Sequence, residues 1–518
     1  MNFFLALSPI LLILYLMVGR RWSAAQAGAA GYLAGVVIAW LFFGATPELL
    51  AYAHARALLF SLDVLLIIWA AFLLYRVADE AGAIRIIGQA LPRLTLDRGM
   101  QALIIGWVFA SFLQGVGGFG VPVAVTAPLL IGIGLPPLAA VVVPSLGHSW
   151  GVTLGSMGSS FQALMAATSL PAETLGPPAS LFLSLTCPLI GVMAAHSMEG
   201  WAGVRRLWLP SLIWGVVMGT VQFLVVLAGA WNIATFVAGL AGLLVTPLVL
   251  RLVAPRASRR AAAETDPAPE AQVEWRRVLI AVSSYVIIII VTLSVQLIPA
   301  LKAFLSPVIL HFDFPEIRSA TGFITPPGAG RSINLFAHTG SLLFYAAAIS
   351  YLVYLRFGCY QPGSLRRVLG GTLQRVMTSS VSIVSMIALS QVMELTGMTF
   401  TLARGLADSF GAVFPLVAPW IGAIGAIMTG SNTNSNVVFG ALQLKTALLL
   451  NLPPAIILAA QSSGGALAST AAPAKVVVGC STAGMTGKEG EVLRRLAAYI
   501  AILIALISLM SWIGVSLY

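Results

Sequence analysis

The stretch Gly430-Ser431-Asn432-Thr433-Asn434-Ser435-Asn436 sets six consecutive hydroxyl and amide side chains, Ser431 to Asn436, inside a largely apolar run from 412 to 450. Six polar groups in that setting are costly unless they face a ligand or water. A second apolar run, 101–135, is interrupted by the kernel Gly115-Val116-Gly117-Gly118-Phe119-Gly120. No straight helix survives such a kernel in lipid, and the backbone groups freed there must be satisfied by protein or by water. Both runs therefore read as re-entrant helical hairpins whose tips line a cavity.

The rest of the chain agrees with a lipid solvent. Of 518 residues 59% are hydrophobic and only 9% charged, with mean hydropathy +0.97. A soluble core cannot hide that much apolar surface. Apolar segments long enough for a hydrocarbon core of about 30 Å give about twelve spans, near 3–19, 27–44, 58–77, 138–160, 179–197, 208–229, 233–252, 278–298, 337–356, 376–397, 453–478 and 496–516. The expected class is an all-α polytopic membrane protein, about twelve transmembrane helices plus two re-entrant hairpins. Phe3 to Val18 is followed by Gly19-Arg20-Arg21-Trp22, with no basic leader and no small-residue cleavage site, so it reads as a retained span.

The net charge of +11 is spread over short loops, which is topology information rather than a nucleic-acid footprint. With the N-terminus outside, the cytoplasmic loops collect Arg20 and Arg21, Arg85, Arg93 and Arg98, Arg205 and Arg206, Arg256 to Arg277, Arg366, Arg367 and Arg375, and Lys488, Arg494 and Arg495. The outer loops hold Arg56, Lys302, Arg318 and Arg331. This asymmetry requires each interrupted run to return to its own side. It places both termini in the periplasm of a bacterial inner membrane.

The interrupted runs are related to each other. Leu135-Pro136-Pro137 matches Leu452-Pro453-Pro454 at an offset of 317, which also aligns Ser145 with Ser462 and Gly147 with Gly464. Each half then reads as arm, tip, arm, Leu-Pro-Pro and a span broken by Ser and Gly. The first half is 1–253, with hairpin 101–135 and broken helix 138–160. The second is 276–518, with hairpin 412–450 and broken helix 453–478. Between them 254–275 is a polar, Pro/Ala-rich cytoplasmic linker. The predicted topology makes the halves inverted copies, as in secondary transporters.

A small carboxylate needs donors where water has been removed, and helix N-termini at hairpin tips supply them. The candidate binding set is Gln114, Gly115, Gly117 and Gly118 at the first tip and Ser431, Asn432, Thr433, Asn434, Ser435 and Asn436 at the second. The broken spans add Ser145, His148, Ser149 and Thr153, and Gln461, Ser462, Ser463, Ser469 and Thr470. Isolated Gly and Ser residues in membrane helices also serve close packing. His148 and Glu394 are the candidate proton carriers; Lys445 is of the same rank, and either Glu394 or Lys445 can instead snorkel to an interface. Asp63, near the predicted end of a span, reads as interfacial. Cys187, Cys359 and Cys480 are scattered, so neither disulfide nor zinc is expected, and no cofactor or metal is assigned. No Walker loop, filter motif or catalytic pair is present, which argues against an ATP-driven pump, a channel and an enzyme.

At these residues the sequence resembles the L-lactate permease family. The resemblance lies in Ser111-Phe112-Leu113-Gln114-Gly115 with Gly118 to Ala124, in Thr429 to Thr433 with Phe439-Gly440 and Leu442-Gln443, in Met198-Glu199-Gly200-Trp201, and in Gln461 to Gly465. It runs from about residue 100 to 480. The resemblance implies a secondary active transporter that takes up lactate or glycolate with a proton, H+ rather than Na+. It also implies a homodimer in which a hairpin-bearing domain moves like an elevator. Family tips usually carry acids where this chain has Gln114 and Asn432, and an Asn where it has His148. Lys445 and Glu394 also stand where no charge is expected. A site made more positive in this way would suit a dicarboxylate or sulfonated hydroxy acid, or sodium coupling.

Overall fold

A computed structural model describes residues 2–118, 120–253, 274–327 and 332–517. The linker 254–275 assigned from sequence lies almost wholly outside these residues, as do Phe119 of the first tip and Arg331. Among the described residues ten helices are long and apolar enough to cross a membrane, or eleven if a bent pair counts as one span. The 56-residue helix Ala172–Leu227 has a break at Gly200, where φ is +62°. At 1.5 Å per residue it is about 84 Å long, so it supplies two membrane lengths.

Local sequence explains where these helices start and stop. Ser23 closes a capping box with Gln26 ahead of Ala24–Phe42, and Thr46 caps Pro47–Glu80, with proline at its first turn. The first interrupted run folds as helix Arg98 to Val116, a turn with Gly118 and Gly120 at positive φ, and Val121–Gly132. The second folds as Phe414–Thr429, a turn at Gly430 (φ +70°), and Asn432–Leu449 with Ser431 as its cap. Both are helix-turn-helix units with the polar kernel at the turn.

The two spans after the Leu-Pro-Pro triplets are both broken. Pro137–Gly147 ends at His148, passes through two short turns with Ser156 and Met157 at positive φ, and resumes as Ser159–Thr168 at a bend of 40°. It therefore reaches eight residues beyond the predicted end at 160. Pro454–Ala468 breaks at Ser469–Ala471 and resumes as Pro473–Thr482. Helix starts recur 317 residues apart: Pro47 and Ser364, Pro137 and Pro454, Ala172 and Glu489.

Two expectations are corrected. The span predicted at 58–77 belongs to the 34-residue helix Pro47–Glu80. Glu48, His54 and Arg56 lower its hydropathy but do not interrupt its hydrogen bonding, so Asp63 sits in mid-helix and only 2% exposed, not at an interface. Two short antiparallel ribbons also occur where no strand was predicted: Ile309–His311 pairs with Ser332–Asn334, and Ile317–Arg318 with Ile324–Thr325.

The hairpins and broken spans pack at backbone distance. A Cβ added at Gly147 would stand 2.2 Å from the Gly106 carbonyl oxygen, and one at Gly464 would stand 2.1 Å from that of Pro419. These are the two glycines aligned by the repeat, and in each half the broken span presses on the first hairpin arm. Gly464→Ala is expected to lower stability by about 1–3 kcal/mol through overpacking. The check is the unfolding temperature in detergent; an unchanged value would mean that the contact relaxes freely.

Candidate functional site

The second hairpin docks its N-terminal turn onto both broken spans. Asn432 Nδ2 donates to Thr153 Oγ1 at 3.1 Å, and the hydroxyls of Thr433 and Ser160 are 2.9 Å apart. Asn436 Nδ2 donates to the Ser160 carbonyl at 2.8 Å and to Ser462 Oγ at 3.0 Å. Thr153 Oγ1 in turn donates to the Ser462 carbonyl at 3.1 Å. Thr153, Ser160, Asn432, Thr433, Asn436 and Ser462 thus form one network, and all of them are buried. Asn432 and Asn436 reach the same network because residues four apart share a helix face.

The first tip meets the same segment elsewhere. Gly118 lies against Ser156, and the Gln114 side chain lies against Gly155. Residues 148–160 therefore bridge the tips: Gly155 and Ser156 take the first, and Thr153 and Ser160 take the second. Two of the first-tip glycines have packing partners, Gly115 against the Phe236 backbone and Gly117 against the Tyr75 ring.

The other predicted residues divide by partner. Ser145 donates to Val141 O and Ser149 to Leu146 O, both at 2.7 Å, so these hydroxyls are spent on their own helix. His148 Nδ1 donates to Pro144 O at 2.5 Å, which leaves Nε2 as the acceptor nitrogen, buried and without a partner among the described residues. Asn434 Nδ2 donates to Ser382 Oγ at 3.0 Å and ties the tip to helix Ser364–Leu395. Ser431 caps its helix, Ser435 donates to Gly422 O at 2.8 Å, and Gln461 makes long contacts to Ser435. Among the described residues Ser463 Oγ, Asn432 Oδ1, Asn434 Oδ1, Asn436 Oδ1 and Gln461 Oε1 are buried without a hydrogen bond. Such groups are rare in a finished core, and these atoms hold bonding capacity open to a ligand or water. Glu394 pairs with Lys445 at 3.8 Å, and both are partly buried.

Sequence reasoning missed four polar residues here. Ser160 and Gln162 lie on Ser159–Thr168, Ser160 at the predicted end of the first broken span and Gln162 past it. His338 caps Thr339–Arg356 and meets Asp63 at 2.9 Å. Lys475, just after the break in the second broken span, donates to Ser469 Oγ at 3.1 Å. The glycine before Ser159-Ser160 was a usable signal for a new helix start; nothing local pointed to the Asp63–His338 pairing, because the two are 275 residues apart.

Comparison with known proteins gives a family match along the chain. The family model described as L-lactate permease matches residues 2–518. The glycolate permease GlcA of Escherichia coli (strain K12) is 27% identical over 517 residues, covering 94% of this chain and 91% of that protein. The L-lactate permease of Bacillus subtilis (strain 168) is 27% identical over 545 residues, covering 98% and 95%. Among solved structures the Alcanivorax borkumensis YdaH transporter aligns with a TM-score of 0.44 at 15% identity, over 87% of this chain and 85% of that one.

Proposed function

Because the chain belongs to the L-lactate permease family, we propose that it carries small 2-hydroxy monocarboxylates, lactate or glycolate, across a bacterial inner membrane by proton symport. The observation that carries this reading is the buried network of Thr153, Ser160, Asn432, Thr433, Asn436 and Ser462, built where a hairpin tip meets the break in the first broken span and the helix Pro454–Ala468 of the second. Hydroxyl and amide donors, together with the helix N-terminus at Asn432, suit a carboxylate and its neighbouring hydroxyl. In the present conformation these groups bond to one another, so a substrate must part them. Separation of the second hairpin from the first broken span is the opening step of an alternating-access cycle.

The recurrence of helix starts supports reading 1–253 and 276–518 as repeats; their inversion, with both termini periplasmic, follows from the loop-charge asymmetry, and a homodimer with elevator motion from the family resemblance. His148, whose Nε2 has no hydrogen-bond partner among the described residues, is proposed to face the substrate. Glu394 is a less favourable proton carrier because Lys445 already balances its charge. Two observations favour a second reading. Lys475 beside the second break would suit a more anionic substrate, and the unpartnered amide oxygens of Asn432 and Asn436 would suit a sodium ion, a hard cation that prefers oxygen ligands.

The test is uptake of labelled L-lactate by the purified protein in proteoliposomes, under a pH gradient, a sodium gradient or neither. Saturable counterflow and accumulation under the pH gradient alone are expected. Accumulation that follows sodium instead selects the second reading, and the absence of saturable lactate flux discards the substrate assignment.

A further inference from the structure

We propose that Lys475 and His148 together read the 2-hydroxy acid, Lys475 pairing with its carboxylate and His148 Nε2 accepting the proton of its hydroxyl group. This inference rests on the substrate reading above and gives Lys475 a place within it. Lys475 is the third residue of Pro473–Thr482, the helix that resumes after the second break, and it lies half-buried inside the span Pro454–Thr482. Its ammonium carries three protons and donates one to Ser469 Oγ at 3.1 Å. Ser469 Oγ spends its own proton on the Ala466 carbonyl at 2.9 Å, so it acts toward Lys475 only as an acceptor. No carboxylate among the described residues pairs with this ammonium. A cation inside a span is costly unless it meets an anion or water, and the substrate supplies the anion.

The helix face that meets Lys475 also carries the buried network. Ser462, Gly465 and Ser469 recur at spacings of three and four along the second broken span, which puts them on one side of it. Ser462 takes Asn436 and Thr153. Gly465 lies under the Asn432 amide, whose Oδ1 would stand 2.3 Å from an added Cβ, and Ser469 takes Lys475. A carboxylate held by Lys475 therefore stands at the end of the row whose amides and hydroxyls close on the second tip.

His148 approaches from the other half. It closes Pro137–Gly147, and that helix packs against both the break Ser469–Ala471 and the helix Pro473–Thr482. The imidazole lies within electrostatic reach of Lys475. Its Nδ1 donates to Pro144 O, so Nε2 is an acceptor, in a residue 1% exposed, with no hydrogen-bond partner among the described residues. A carboxylate brings no proton to such a nitrogen, and neither does a ketone. The hydroxyl beside the carboxylate of lactate or glycolate does. The pair suits an anion with a donor next to it.

The fold demands neither side chain. At the offset of 317, His148 stands where the second half has Gly465, and Lys475 stands where the first half has Gly158. Each of those glycines is closed over by a neighbour, Gly158 by Trp231 and Gly465 by Asn432. The two large polar groups are additions to a shared frame, and the packing of Pro137–Gly147 on Pro473–Thr482 brings them to one place.

The experiment titrates the purified full chain in detergent with L-lactate, with its neutral amide lactamide and with the hydroxyl-free propionate, by isothermal titration calorimetry. The wild type is expected to bind lactate about tenfold or more tighter than either analogue, because each analogue lacks one of the two contacts. Lys475→Gln should remove the preference for lactate over lactamide, and Lys475→Arg should keep it. His148→Leu should remove the preference over propionate while the preference over lactamide stays. A lysine that only props the break would weaken both ligands alike, so an unchanged lactate-to-lactamide ratio in Lys475→Gln overturns the assignment of Lys475. An unchanged lactate-to-propionate ratio in His148→Leu overturns that of His148. Where a variant cannot be titrated, the wild-type ratios decide: discrimination against both analogues supports the pair, and an analogue bound as tightly as lactate overturns it. A wild type that binds neither lactate nor glycolate overturns the substrate reading and the pair with it.

Discussion

Replacing Ser160 and Thr433 together by cysteine will arrest lactate transport under oxidising conditions, and dithiothreitol will restore it. The two hydroxyl oxygens are 2.9 Å apart and join the first broken span to the second hairpin tip. A disulfide requires Cβ atoms about 3.5–4.5 Å apart, which this approach allows. The bond would hold shut the contact that substrate has to open, so the rate should fall at least about tenfold, as for other conformational gates. The natural cysteines Cys187, Cys359 and Cys480 are all free, so oxidised wild-type protein is the control. Full transport by protein whose cross-link is verified by mass spectrometry would mean that the cycle opens somewhere else.

Asn436→Leu should be the most damaging single replacement in the network. The leucine fills a similar volume but offers no donor. It leaves the Ser160 carbonyl and Ser462 Oγ without the bonds at 2.8 and 3.0 Å that Asn436 supplies, at a position with 0% exposure. Ser462 Oγ keeps its 3.2 Å contact with Thr153 Oγ1, so the cost is that of the lost buried hydrogen bonds, about 0.5–1.5 kcal/mol each. Transport should be abolished and the unfolding temperature should fall. Asn436→Gln keeps the amide one methylene out of place, and partial activity is expected from it. Full activity in the leucine variant, measured as counterflow, would remove Asn436 from the site.

Particular residues show what could be read locally. The polar run Ser431 to Asn436 marked the second tip because six adjacent polar side chains have no place in a lipid-facing helix. The glycine kernel at 115–120 marked the first turn for the related reason that its backbone cannot remain in a regular helix. The Leu-Pro-Pro triplets located the starts of both broken spans at Pro137 and Pro454. Hydropathy misplaced the helix holding Asp63, because a window average falls at Glu48, His54 and Arg56 while the hydrogen-bond ladder does not. Likewise Ser145 and Ser149 looked equivalent to Thr153 in sequence. Which hydroxyl turns back to its own helix and which points to Ser462 depends on the bend at 148–158.

A multi-span membrane protein with two interrupted helical hairpins was legible from the order of residues alone, and its motifs pointed to the family. Those features depend on composition, on local backbone chemistry and on short words of sequence. Which polar residues meet is a matter of helix packing: Asn436 with Ser160, Asn432 with Thr153, and Asp63 with His338 and Gln162. Such meetings join residues 99 to 279 positions apart, and they depend on how helices cross at glycines such as Gly147 and Gly464, which no local propensity encodes.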